Sequence, residues 1–274
     1  ISAYDYGNQY TLSFSKNSSQ IQNSKIVGVG SSTLFGTGAT TPNKVGEQIQ
    51  TWLGTQSGKF INISLSGQST LNCLEEGSTA SVNPHRNITS AVSIRPTAIL
   101  IGLPSNDIGV GLTALQFKNN ILTMYNYCLN NGVPCFVISP QPRHSYTLSQ
   151  QQSLSDANIL IRNEIPSKFY IDVFDTLRDT GTSSPAVISA TYNSGDNIHL
   201  NNAGHTVLAN AIISKFNSYF SDYSPSDYTQ HEIQYGSSVG GETPSSWLTL
   251  DTISDIKYVS STYSRIDDGM YGYR

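Results

Sequence analysis

Lys25-Ile26-Val27-Gly28-Val29-Gly30-Ser31-Ser32-Thr33 is a β-branched run that stops at glycine and turns into hydroxyl residues. A short apolar run bounded by turn signals reads as a buried strand. Four more such runs follow, at Phe60–Leu65, Thr97–Leu103, Pro134–Ser139 and Tyr170–Phe174. The spacing of apolar residues predicts helices over 44–53, 87–95, 114–131, 148–168 and 202–220. In the last, Leu208, Ile212 and Phe216 recur every four residues as one stripe suited to packing on a sheet. Gly132-Val133-Pro134 ends the third helix and launches a strand. Strands alternating with helices in this way describe βα units on a parallel sheet. The expected core is therefore a three-layer α/β/α sandwich around five parallel strands.

On either side of this series the character changes. Tyr10, Leu12 and Phe14 alternate with period two, so residues 1–24 are expected to be an edge strand of the main domain, or else an arm. After Phe220 the alternation of strand and helix stops, and eight of the sixteen tyrosines fall in the remaining stretch and its approach: Tyr219, Tyr223, Tyr228, Tyr235, Tyr258, Tyr263, Tyr271 and Tyr273. The expected division is a main domain over 1–220 and a Tyr-rich extension over 221–274. Short strands are expected in the extension at Trp247–Leu250 and Ile256–Val259, as in a small β appendage.

Composition narrows the function. The 274 residues hold 37% hydrophobic side chains, and no stretch approaches the roughly 18–20 apolar residues that cross a bilayer, so no membrane insertion is expected. A net charge of −4 leaves no basic face for a phosphate backbone, which argues against nucleic acid as a partner. Charged residues are 12% of the chain, about half the usual ~25%, while Asn, Ser and Thr are abundant. That is the composition of many secreted bacterial proteins, and a secreted or cell-surface location, bacterial or phage-associated, is expected. The chain starts at Ile1 and reads as mature or trimmed. Cys73, Cys128 and Cys135 are too few for a disulfide framework; Cys128 with Cys135 is the nearest pair, and buried thiols are the other reading.

In a parallel α/β sheet, ligands bind beyond the carboxyl ends of the strands. Four loops fall on that edge: Gly30-Ser31-Ser32-Thr33, Ser66-Gly67-Gln68-Ser69, Pro104-Ser105-Asn106-Asp107 and Asp196-Asn197-Ile198-His199. Together they hold a hydroxyl, a glycine N–H, a side-chain amide, and a carboxylate three residues before an imidazole. That is the inventory of an acyl-transfer site. A serine hydroxyl attacks a carbonyl only when a base takes its proton, and an imidazole is suited to do so. Asp196 can orient His199 and leave the other ring nitrogen for Ser32. The backbone N–H groups of Ser32 and Gly67 and the amide of Asn106 are candidate donors for an oxyanion.

These four blocks resemble, in order, those of the SGNH hydrolases, the GDSL-type esterases and lipases: Val27–Thr33, Asn62–Gly67, Leu103–Asp107 and Asp196–His205. The resemblance spans about residues 25–220. It implies a flavodoxin-like α/β/α fold and a cofactor-free serine hydrolase. In that reading Ser32 is the nucleophile, Asp196 and His199 complete the triad, and Ser32, Gly67 and Asn106 form the oxyanion hole. Ser31 stands where the family usually has Asp, and Pro104 where the third block usually has Gly. The combination is similar to SGNH domains of secreted multidomain proteins from Bacteroidetes-like bacteria.

Each residue also has a plainer reading. Ser32 can be a turn or cap serine, Asn106 an Asx-turn residue, and Gly67 a residue that merely permits positive φ. Arg143, after the fourth strand, is a candidate for contacting substrate or for a surface pairing, with His144 beside it. His85 and Arg86 sit at the rim or in solvent. His205 is expected to pack rather than react. Gly236–Gly240 matches a G-x-S-x-G elbow but lacks its strand-to-helix context. Gly28-Val29-Gly30 with Glu47 hints at a dinucleotide site, yet the third glycine is replaced by Thr33. The expected activity is hydrolysis of short acyl esters, most of all acetyl on a carbohydrate, since no long apolar lid interrupts the blocks. The alternative is a non-catalytic carbohydrate- or partner-binding module on the same fold.

Overall fold

The computed structural model describes residues 24–222, with side chains to 220, and the strand segments 4–5, 8–16, 228–237, 248–254, 263–265 and 271–273. The chain divides into two compact units: Ile21–Asp222, and Ile1–Gln20 together with Tyr223–Arg274. In chain order the strands of the second unit are β1 (Tyr4–Asp5) and β2 (Asn8–Lys16), then, past the central unit, β8 (Tyr228–Ser237), β9 (Leu248–Ser254), β10 (Tyr263–Arg265) and β11 (Tyr271–Tyr273).

The central unit carries β3 (Lys25–Gly30), α1 (Ser32–Phe35), α2 (Val45–Gly54), β4 (Lys59–Asn62), α3 (Thr70–Cys73), α4 (Ile88–Ser93) and β5 (Ala98–Gly102). It continues with α5 (Asn106–Gly109), α6 (Ala114–Asn130), β6 (Cys135–Ile138), α7 (Leu148–Glu164), β7 (Tyr170–Ile171), α8 (Phe174–Leu177) and α9 (Asn202–Asp222). Its five strands are all parallel, in the order β4-β3-β5-β6-β7. That is the flavodoxin-like order, in which the crossover direction reverses between the first and third strands and leaves a crevice at their carboxyl ends. Here the reversal lies between β3 and β5, so Ser32 and Asn106 follow the two strands that flank it.

The sequence explains these elements. The AILIG and CFVI runs of β5 and β6 are buried throughout, as strands covered by helices on both faces must be. Thr113 and Gln116, and Thr147 and Gln150, make reciprocal capping boxes that start α6 and α7. On α9, Leu208, Ile212 and Phe216 are buried, and Phe216 meets the ring of Phe136 edge-on with centroids 4.7 Å apart. α7 ends at Glu164 rather than at 168, because Ile165 precedes Pro166 and is forced into an extended conformation. β7 is shorter than its apolar run: Val173 N–H turns to the Ser139 hydroxyl and Phe174 opens α8. Cys73, Cys128 and Cys135 are free, buried thiols, and burial pushes the Cys73 thiol up to about 12.

The alternation in the first twenty residues does make a strand, but not at the edge of the parallel sheet. β2 pairs antiparallel with β8, from Asn8 opposite Ser237 to Lys16 opposite Tyr228, in a sheet of order β1-β2-β8-β9. The reason is register. Tyr10 faces Tyr235 and Leu12 faces Ile233, so two period-two patterns coincide across the ladder. The strand expected at Trp247–Leu250 is present as β9, whereas 256–259 lies outside the described residues. Of the Gly236–Gly240 match, only Gly236 and Ser237 are described, at the end of β8.

Candidate active site

The fourth candidate loop lies between α8 and α9, and the other three follow the carboxyl ends of β3, β4 and β5. β3 and β5 approach so closely there that a Cβ on Gly30 would lie 2.4 Å from the Gly102 carbonyl oxygen, so only glycine fits. The same carbonyl accepts the N–H of Ser31 at 3.1 Å and fixes the turn. Ser32 then begins the single-turn helix α1, and its carbonyl accepts the N–H groups of Gly36 and Thr37. Ser31, where the resemblance calls for Asp, is fully buried, and its hydroxyl has no partner among the described residues.

Gly67 sits at φ +86°, in the left-handed region, and an added Cβ would meet nothing within 4 Å. Conformation, not crowding, calls for glycine here. Ser66 hydrogen-bonds the Thr37 hydroxyl at 3.1 Å, which ties the second loop to the segment after Ser32. Arg86, thought to be a rim or solvent residue, is half-buried and donates to the Ser64 carbonyl at 2.8 Å, just upstream of Gly67. His85 is exposed.

The third loop is bound to the second. Asn106 Nδ2 donates to the Gln68 carbonyl at 2.8 Å, and its Oδ1 accepts from Arg143 Nη1 at 3.2 Å. An asparagine amide has two N–H groups, so one remains free. Arg143 also reaches the Tyr146 hydroxyl at 3.3 Å and the Ser145 hydroxyl at 2.9 Å, with its guanidinium 4.5 Å above the Tyr146 ring. The adjacent Asp107, fully buried, accepts the backbone N–H of Thr70 at 3.1 Å and the Thr70 hydroxyl. Burial pushes Asp107 up to about 6, against the opposing pull of those Thr70 hydrogen bonds.

In the fourth loop Asn197 takes φ +65°, a conformation asparagine tolerates, and folds the chain back on Asp196. Asp196 Oδ1 accepts from the Ser194 hydroxyl at 2.9 Å, the Ile198 N–H at 2.9 Å and the His199 N–H at 2.8 Å. Its Oδ2 lies 2.6 Å from His199 Nδ1. Partial burial opposes the charge on Asp196, but these hydrogen bonds outweigh it and hold the carboxyl well below the usual range. An ionised Asp196 takes the proton on Nδ1, which leaves Nε2 as the acceptor.

The fourth loop also touches the segment that follows α1. A Cβ on Gly38 would lie 2.9 Å from His199 Cβ and 2.3 Å from the Leu200 carbonyl oxygen. Among the described residues no hydrogen bond joins the Ser32 hydroxyl to the imidazole; the contact is between the loops. Such bonds are often long without substrate. His205 is fully buried, accepts the Val45 N–H at 3.3 Å and donates to the Thr37 carbonyl at 3.1 Å. Burial lowers its pKa, and it packs, as its position suggested.

Two participants escape a reading by motif, Thr70 and Gln141, as does the tie of Asp107 in the third block to Thr70. Each is a polar residue in or beside a strand-end loop, and only that placement marks it.

No protein-family model and no curated protein matches the sequence. Solved structures do match by fold. A GDSL-like lipase from Bacteroides thetaiotaomicron superposes with a TM-score of 0.55 at 14% identity, over 72% of this chain and 89% of that one. The central unit has the SGNH hydrolase fold. A carbohydrate acetylesterase family member from Sinorhizobium meliloti shares it, with a TM-score of 0.53 at 16% identity over 72% of this chain and 99% of that one. So does an acetyl xylan esterase, with a TM-score of 0.52 at 15% identity over 69% and 98%. The part of this chain that these SGNH structures cover is about the size of its central unit. No helix among the described residues is long and apolar enough to cross a membrane.

Proposed function

We propose that the central unit is a serine ester hydrolase acting through an acyl-enzyme, with Ser32, His199 and Asp196 as its triad. The observation that carries this reading is the 2.6 Å contact between Asp196 Oδ2 and His199 Nδ1, in a loop packed at Gly38 against the segment that follows the Ser32 helix α1. His199 Nε2 takes the Ser32 proton as Oγ forms a bond to the ester carbonyl carbon. The negative oxygen that results is held by the backbone N–H groups of Ser32 and Gly67 and the free N–H of Asn106, an arrangement in which each donor typically contributes ~10²–10³ in rate. Collapse of that intermediate breaks the ester bond, and the imidazolium returns its proton to the departing alcohol. Water, activated by the same imidazole, then releases the acid and restores Ser32. Arg143, a candidate substrate contact, acts in this scheme by gripping Asn106 Oδ1, which aims the amide nitrogen at the oxyanion.

The favoured substrate is a short acyl ester, acetyl on a polysaccharide first among them. Support comes from the polar, Asn/Ser/Thr-rich composition, which suits a hydrated substrate, and from the shared fold of a carbohydrate acetylesterase family member and an acetyl xylan esterase. The same composition supports a secreted or cell-surface location. The test is hydrolysis of p-nitrophenyl acetate, butyrate and octanoate and acetate release from acetylated xylan, by wild type and by Ser32→Ala of matched circular dichroism. The reading requires a loss of ~10³-fold or more in the variant and a decline with chain length. Equal activity of Ser32→Ala would remove the nucleophile, and a preference for octanoate would remove the short-acyl assignment.

A further inference from the structure

Gln141 follows β6 in a loop that contributes no reacting group, yet it touches three of the four candidate loops. Its Oε1 accepts the Thr33 hydroxyl at 2.8 Å, one residue after Ser32. Its Nε2 donates to the Ile198 carbonyl at 2.8 Å, one residue before His199. Its backbone N–H donates to the Pro104 carbonyl at 2.8 Å, two residues before Asn106. The side chain is 3% exposed, so neither amide bond competes with bulk water.

The bond to Ile198 falls on a particular peptide group. The carbonyl of the Ile198–His199 peptide is held by Gln141, while its N–H is held by Asp196 Oδ1 at 2.8 Å. Both ends of one peptide plane are fixed, and with them the direction in which His199 leaves the backbone. The other end of the Gln141 amide holds Thr33 on the first turn of α1, beside Ser32. A glutamine amide suits this bridge because it offers an acceptor oxygen and a donor nitrogen on one planar group, one for a hydroxyl and one for a carbonyl.

We propose that Gln141 is a positioning residue that sets the separation and alignment of Ser32 and His199 by bridging their loops. This rests on the triad reading above. Gln141 touches neither substrate nor reacting atoms; it governs the geometry of proton transfer, where a misplacement of about 1 Å can cost 10²-fold in rate.

The test compares wild type, Gln141→Leu and Gln141→Glu on p-nitrophenyl acetate from pH 5.5 to 8.5, with melting temperatures and with Ser32→Ala as control. Leucine is of similar size, and Gln141 borders a small void of about 10 Å³ lined also by Leu34, Ile138, Val173 and Leu200. The expected result is a kcat about 10- to 100-fold lower in Gln141→Leu with KM within about twofold, because alignment and not binding is lost. Gln141→Glu is isosteric, and its carboxyl can serve the Thr33 hydroxyl and the Ile198 carbonyl together only when protonated. Its deficit relative to wild type therefore shrinks as the pH falls, which a purely structural defect would not produce. A wild-type kcat in Gln141→Leu, or a Gln141→Glu deficit that is the same at every pH, overturns the proposal. If Gln141→Leu does not fold, the pH dependence of Gln141→Glu decides alone. Failure of the underlying reading looks different: Ser32→Ala would then match wild type.

Discussion

Asn106 Nδ2 lies 2.8 Å from the carbonyl oxygen of Gln68, so the loop of the proposed side-chain oxyanion donor is fastened to the loop of the proposed glycine donor. One residue after Asn106 and two after Gln68, the Asp107 carboxylate takes the backbone N–H of Thr70, which makes the attachment double. Oxyanion stabilisation depends on donors that need no rearrangement when charge develops. The Asn106 bond and the bonds from Thr70 to Asp107 supply that rigidity here.

Replacing Asn106 with Ala is expected to lower kcat by about 10²-fold or more while leaving KM near wild type, since the free N–H acts on the transition state. Replacing Arg143 with Ala leaves the amide present but free to turn, and a smaller loss, about 10-fold, is expected. Steady-state kinetics on p-nitrophenyl acetate checks both. An Asn106→Ala enzyme with wild-type kcat removes this residue from the oxyanion site.

Asp196 is held ionised by four hydrogen bonds, so His199 keeps a charged partner throughout the working range. The rate is expected to rise with pH as the imidazole loses its proton and to level off above that, because only the neutral ring accepts from Ser32. Asp196→Asn keeps the shape, loses the charge and favours the wrong tautomer; a drop of about 10³–10⁴-fold in kcat is expected. A flat profile of kcat/KM between pH 5 and 8 would speak against His199 as the base.

Asp107 gives a stability signature of its own. Its carboxyl is pushed from 3.8 up to about 6 in the fold, chiefly by burial, so between those values the folded chain binds the proton that the unfolded chain has released. Stability contributed by the protonated form is thus complete below about pH 4 and is lost as pH rises through about 6, by something of the order of 3 kcal/mol. Asp107→Asn lacks this titration. Urea unfolding at pH 4.5 and 7.5 is expected to show the variant gaining on wild type at the higher pH; a constant difference would contradict the shift.

His205 works in the opposite direction. Its folded pKa lies below 6.5 because of burial, so acidification protonates the unfolded chain first and destabilises the fold as pH drops below about 6.5. The neutral ring is what its two bonds require, an acceptor toward Val45 and a donor toward Thr37. His205→Gln can make one bond of each kind without titrating. Its melting temperature is expected to fall less than that of wild type between pH 7 and 5, measured against the same reference buffer series.

The layers of the fold were legible because periodicity reports burial. The continuous apolar runs of β3, β5 and β6 and the four-residue stripe on α9 need no partner to be recognised. The candidate loops were legible because chemistry-bearing residues recur at strand ends: Ser32, Gly67, Asn106 and the Asp196–His199 pair. What escaped were the ties between loops. Gln141 and the Asp107–Thr70 pair are single polar residues without a period, and a glutamine in a loop looks the same whether it bridges two segments or faces water. The alternation at Tyr10, Leu12 and Phe14 announced a strand, but a strand's pattern says nothing of where in the chain its partner lies.

That last partnership orders events in time. β2 is complete after Lys16 but its ladder partner, Tyr228–Ser237, is made about 200 residues later; at 5–20 residues per second, that is a delay of roughly ten to forty seconds. During that interval the whole parallel sheet has emerged and can close on itself, while β2 presents unpaired N–H and C=O groups along the edge that β8 will take. A strand made before the parallel sheet is thus paired with β8 only after that sheet is complete. A nascent chain stalled anywhere before Tyr228 would carry a finished central unit behind an orphan strand, open to proteases and to strands of other chains.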